Sequence, residues 1–103
     1  MGKKEISRII QSYLKVLEEN KIKVIAAYLF GSYIKGNFNK NSDIDLAIVS
    51  DDFKKDSMEA QLLLMKLRRK INISIEPHPF LSKDFVIGNP FASRIIKTGK
   101  RVK

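Results

Sequence analysis

The sequence predicts a single α/β (α+β) domain, one β-sheet flanked by helices. Two observations carry this reading. Segments with apolar residues at helical spacing alternate with short, β-branched apolar runs, which argues for a helix-covered sheet. The length of 103 residues suits one hydrophobic core, and no internal repeat or low-complexity linker divides it.

The elements follow in order. Ile6, Ile9, Ile10, Tyr13, Leu14 and Leu17 recur at helical spacing, so residues 4–20 read as an amphipathic helix that stops at Asn20. Residues 22–30, "IKVIAAYLF", are nearly continuous apolar and read as a strand buried on both faces. "GSYIKG" is a turn that opens a short helix, with Gly36 closing it. "NFNKNS" is a polar loop, and residues 43–49, "DIDLAIV", form a second strand. Asp56 with Glu59 resembles a capping box ahead of the helix "MEAQLLLMKLRRK", whose basic residues gather at its C-terminal end. Its aliphatic residues, Leu62 to Leu67, are expected to enter the core. "INISIEP" reads as a third strand over 71–76, with Ile71, Ile73 and Ile75 on one face and Pro77 and Pro79 ending it. Asn89 and Pro90 are an N-cap and first-turn pair for a closing helix that ends at Gly99.

Composition narrows the function classes. The absence of cysteine excludes a disulfide framework and a Cys-based metal site. No apolar run nears the roughly 20 residues that span a bilayer. The N-terminus has lysines but no apolar signal segment, so a cytoplasmic location is expected. A net charge of +9 favours a polyanionic partner, whether nucleic acid, nucleotide or acidic protein. The lysines are spread along the chain, however, and a solvated basic surface explains them equally well.

The stretch "GSYIKGNFNKNSDIDL", residues 31–46, carries the chemistry. Alternation along a strand puts Asp43 and Asp45 on one face, about 6.6–6.8 Å apart, with Ile44, Leu46 and Ile48 on the other. Two carboxylates so close repel one another in a partly dry setting, which either water at a strand edge or a cation between them relieves, and Mg²⁺ is usually held by one or two carboxylates plus substrate phosphates. Gly31, directly after an apolar strand, lets the backbone turn sharply and approach a ligand. A helix starting at Ser32 would offer N–H groups to a phosphate, and the Ser32 hydroxyl could add a bond. Glu76 falls opposite the isoleucine face of its strand and is the candidate third carboxylate, either binding metal or serving the attacking hydroxyl. His78, the single histidine, reads as a structural or exposed residue. Arg68 and Arg69 read as a solvated helix end, and Lys35 as either a phosphate contact or a solubilising charge.

Gly31-Ser32, ten intervening residues, then Asp43-x-Asp45 resembles the signature of the DNA polymerase β-like nucleotidyltransferase superfamily. The small size is similar to its minimal nucleotidyltransferase branch, in which the domain often acts as antitoxin to a HEPN-domain toxin. The resemblance implies a mixed sheet flanked by helices, two Mg²⁺ ions and ATP. It implies transfer of a nucleoside monophosphate, AMP above all, to a hydroxyl such as a tyrosine of the toxin. Carried over, Gly31 and Ser32 hold the triphosphate, and Asp43 and Asp45 bind metal. The third acidic position, often Asp in the superfamily, would be Glu76. Two rival functions remain open in the sequence: an antitoxin that neutralises by occlusion alone, and a nucleotidyltransferase directed at nucleic acid.

Overall fold

A computed structural model describes residues 2–36, 42–53 and 57–103. The elements are α1 (Lys3–Glu19), β1 (Ala26–Phe30), α2 (Ser32–Lys35), β2 (Ile44–Val49), α3 (Ser57–Arg68), β3 (Ile75–Phe80), α4 (Pro90–Thr98) and β4 (Lys100–Arg101). The strands form one mixed sheet in the order β3-β2-β1-β4. β1 is antiparallel to β2 and to β4, whereas β2 and β3 run parallel, joined through α3.

The main core lies on one face of this sheet. Ile44, Leu46 and Ile48 alternate inward from β2 and are wholly buried. In register beside them stand Leu29 and Ala27 on β1 and Ile75 on β3. They merge with Ile6, Ile10, Tyr13, Leu14 and Leu17 of α1 and Ala60, Leu64 and Leu67 of α3. Each such large aliphatic side chain contributes about 1.5–3 kcal/mol by leaving water. The Tyr13 hydroxyl donates to the Leu64 carbonyl at 2.8 Å, tying α1 to α3. Burial pushes that phenol well above its ordinary pKa, with Arg68 opposing the shift.

Both end signals expected of α4 are present. Asn89 accepts from the backbone N–H groups of Phe91 and Ala92, and Gly99 closes the helix. A Cβ at Gly99 would press on the carbonyls of Ile95 and Leu29, so glycine lets the chain pass from α4 straight onto β1 as β4. The two-residue β4 has no counterpart among the expected strands.

Four other expectations are revised. The apolar run 22–30 is strand only from Ala26; Ile22 and Val24 are buried in the approach to it. The third strand covers 75–80 rather than 71–76 and runs through both prolines. β3 is an edge strand, so the missing N–H groups of Pro77 and Pro79 fall on the side without a neighbour. The outward carbonyls there are taken by side chains of α3 instead: Gln61 donates to Pro77 O and Arg68 to Ile75 O, both at 2.8 Å. Ile73, expected in the core, lies in the turn before β3 and is 71% exposed. In α3 the core takes Ala60, Leu64 and Leu67, while Leu62 and Leu63 face solvent. A helix cannot bury four consecutive large residues against one sheet, because only one stripe of its surface meets it. Asp56 of the expected capping box, and most of the "NFNKNS" loop, lie outside the described residues.

Candidate functional site

The expected site residues of the strands lie on the second face of the sheet. Register places Phe30, Asp45 and Glu76 in one row across β1, β2 and β3. The next row is Tyr28, Ala47 and His78, and the one after is Ala26, Val49 and Phe80. Side chains in one row share a face, opposite Ile44, Leu46 and Ile48. The expected meeting of Asp45 and Glu76 on neighbouring strands is therefore met at the level of the backbone. Asp43 sits one residue ahead of β2 and is exposed.

Gly31 shows why glycine stands at the end of β1. Its φ of +80° and ψ of −145° belong to a region that residues with a Cβ avoid. A Cβ there would overlap Asp45 Oδ2 and stand 3.1 Å from the Asp45 carboxyl carbon. The glycine thus makes room for the chain's own carboxylate, where the sequence pattern suggested room for a phosphate. Ser32 then opens α2 with a half-buried side chain, and Gly36 ends the helix in the left-handed conformation, as expected. Lys35 is exposed at the end of this helix.

Two residues read as peripheral from sequence prove to touch the acidic row. His78 Nε2 lies 3.3 Å from Asp45 Oδ1, which brings the single histidine to the acidic row. Arg68 Nη1 lies 3.5 Å from Glu76 Oε2 while also donating to the Ile75 carbonyl, so it is no solvated helix end. The partly exposed Arg68–Glu76 pair contributes at most about 1 kcal/mol, and its effect is to fix where Glu76 rests. Aromatic rings frame the row. His78 packs on Phe30 at 5.0 Å and edge-on to Phe91 at 5.8 Å between centroids. Phe91, although 46% exposed, also meets Phe30 and Phe80. The signal for His78 was present as the period-two step from Glu76, but it was hidden by taking Pro77 as the strand's end.

Among the described residues no three carboxylate or imidazole groups converge as a ready-made metal cage. The donor chemistry nevertheless fits Mg²⁺, which needs only one or two protein carboxylates when phosphate supplies the rest. Asp45 sits in a cradle that a Cβ would fill, beside Glu76 and within three residues of the exposed Asp43.

A family model described as polymerase beta, nucleotidyltransferase, matches residues 10–103. The chain belongs to this family. A Methanocaldococcus jannaschii protein, provisionally named a protein adenylyltransferase, is 31% identical over 93 residues, covering 90% of this chain and 89% of that one. The protein adenylyltransferase MntA of Shewanella oneidensis is 29% identical over 89 residues, covering 86% of this chain and 60% of MntA. In solved structures, a mutant of the MntA–HpeT toxin–antitoxin aligns with a TM-score of 0.62 at 23% identity, over 90% of this chain and 71% of that one. A Sulfolobus solfataricus protein, provisionally named a nucleotidyltransferase, aligns with a TM-score of 0.64 at 17% identity, over 98% and 87% of the two chains. These structural likenesses establish the shared fold. The protein is a nucleotidyltransferase enzyme, and its mixed sheet holds the Gly31-Ser32 turn and the Asp43-x-Asp45 pair on adjoining segments. Among the described residues, no helix is long and apolar enough to cross a membrane.

Proposed function

We propose that this nucleotidyltransferase moves AMP from ATP to a tyrosine hydroxyl of a HEPN-domain toxin, and so serves as its antitoxin in the cytoplasm. The observation that carries the reading is the row Phe30–Asp45–Glu76 with Gly31 folded against the Asp45 carboxylate. A toxin–antitoxin aligned with this chain was solved with AMP-PNP, an ATP analogue, which supports ATP as the donor.

In this reading the tyrosine oxygen attacks the α-phosphorus. The bond to the bridging oxygen of the β-phosphate breaks, and pyrophosphate leaves. Glu76 serves the attacking hydroxyl, as its base or by holding the ion beside it. Gly31 and Ser32 hold the triphosphate tail at the start of α2. Asp43, Asp45 and Glu76 would hold two Mg²⁺ ions, which supply neutralisation of phosphate charge and activation of the attacking oxygen.

A second reading has one observation in its favour. Glu76 and Asp45 are each engaged by a neighbour, Arg68 and His78, rather than gathered around a common centre. That arrangement would also suit an antitoxin that neutralises by occlusion. The basic charge of +9 alone supports a nucleic-acid acceptor, and it is not concentrated in any run of the sequence.

The test is co-purification with the product of the neighbouring gene, then intact mass spectrometry of that partner after incubation with Mg-ATP. Added nucleoside monophosphate units, absent with Asp43→Ala/Asp45→Ala, are the expected result. A stable complex whose mass never changes under any nucleotide would sink transfer and leave occlusion. Label appearing on RNA or DNA instead, in a salt-sensitive complex, would redirect the acceptor assignment.

A further inference from the structure

We infer that His78 is a positioning residue for Asp45, fixing the orientation in which that carboxylate meets a nucleotide-bound cation. The inference rests on the reading of Asp45 as a metal-binding residue, and adds to it a role for the protein's single histidine.

The geometry distinguishes the two oxygens of Asp45. Oδ1 lies 3.3 Å from His78 Nε2. Oδ2 lies on the other side, against the Gly31 backbone, in the space a Cβ would occupy. A carboxylate accepts rather than donates, so this contact selects the imidazole tautomer with its proton on Nε2. The ring packs against Phe30 at 5.0 Å and Phe91 at 5.8 Å, on elements β1 and α4. The strand beneath it is fixed as well, because Gln61 of α3 donates to the carbonyl of Pro77, the residue before it.

Asp45 is thus gripped from two directions, by a donor on β3 and by a backbone that tolerates no side chain on β1's end. A carboxylate held in one rotamer loses less freedom on binding an ion than one free to rotate. Hydrogen-bonding partners of metal-binding carboxylates typically change metal affinity by about 10–100-fold when removed.

The test is Mn²⁺ titration, followed by electron paramagnetic resonance, of the whole protein saturated with a non-hydrolysable ATP analogue. His78→Phe keeps a ring between Phe30 and Phe91 and removes the donor. His78→Gln restores a donor of similar reach. We expect His78→Phe to weaken Mn²⁺ binding about 10–100-fold at unchanged thermal stability, and His78→Gln to recover most of it. A second readout needs no nucleotide or metal. The single imidazole should show its Nε2 proton by nitrogen-15 NMR, with a resonance that moves upfield in Asp45→Ala.

Undiminished Mn²⁺ affinity in His78→Phe, alongside loss in Asp45→Ala, would overturn the positioning role while leaving the metal assignment intact. Undiminished affinity in Asp45→Ala would overturn both. An imidazole spectrum insensitive to Asp45→Ala would overturn the hydrogen bond itself.

Discussion

The two faces of the sheet are made by the same strands and differ in almost everything else. One face of β2 presents Ile44, Leu46 and Ile48, wholly buried beneath α1 and α3. The other presents Asp45, Ala47 and Val49, with Asp45 partly exposed and bordered by Phe30, Glu76 and His78. A strand's period of two lets one short segment serve as core and as site, because neighbouring residues point oppositely. The buried face immobilises the backbone from which the proposed site projects. Mutations in β2 should therefore separate by parity: even positions should change stability, and odd positions near the strand's start should change chemistry.

The largest effects are expected from pushing each face alone. Glu76→Gln should lower transfer about 10²–10⁴-fold if the carboxylate acts as base, with ATP affinity largely kept. Single-turnover kinetics would read this, and an unaltered rate would remove Glu76 from the mechanism. On the opposite face, Leu46→Ala should cost about 2–5 kcal/mol of stability, since the site cannot collapse around a missing side chain at the sheet's centre. Urea unfolding measures that loss. A cost below about 1 kcal/mol would mean that this face is packed less tightly than its burial implies.

Gly31→Ala probes the junction between the faces and should have an intermediate effect. The positive φ and the overlap with Asp45 Oδ2 together should cost about 1–3 kcal/mol and displace the carboxylate. Nucleotide binding should weaken while circular dichroism stays that of a folded protein. Wild-type nucleotide affinity in a folded Gly31→Ala protein would show that the turn does not set the position of Asp45.

The smallest effect concerns the loop that follows β3. Asp51 accepts from the Ser82 backbone N–H at 2.9 Å and from the Ser82 hydroxyl at 2.8 Å. The backbone bond, then the hydroxyl, holds this exposed carboxyl below its ordinary value of 3.8. A carboxyl whose folded value is depressed adds stability that is full above the unfolded value and is lost as pH falls through the folded one. The melting temperature of the parent should thus exceed that of Asp51→Asn at neutral pH, and the gap should close in acid below 3.8. A gap that persists unchanged into strong acid would contradict the assignment.

How far the sequence reveals this arrangement differs between the same two faces. The aliphatic face is legible because Ile44, Leu46 and Ile48 alternate with acidic and small residues. The α4 boundaries are legible because Asn89-Pro90 and Gly99 act locally, through the backbone bonds they make or forgo. The start of the site is legible too, since Gly31 and Asp43-x-Asp45 stand at a family's spacing. What was hidden depends on long-range pairing. Pro77 and Pro79 look like strand breakers until β3 is known to be an edge whose outer carbonyls Gln61 and Arg68 satisfy. Misplacing that strand's end concealed His78. The two polar residues of β4 form a strand only because Gly99 delivers them to β1. The run Leu62 to Met65 gives no hint of which residues face solvent, because a continuous apolar run has no period to read.

On the proposed reading, the second face of the sheet binds a nucleotide through its carboxylates. Isothermal titration of ATP into the parent and into Asp43→Ala/Asp45→Ala, with and without Mg²⁺, tests it most directly. The expected result is ATP binding by the parent that strengthens with Mg²⁺, and loss of that strengthening in the double variant at equal circular dichroism. Equal Mg-ATP affinity in the two proteins would contradict it.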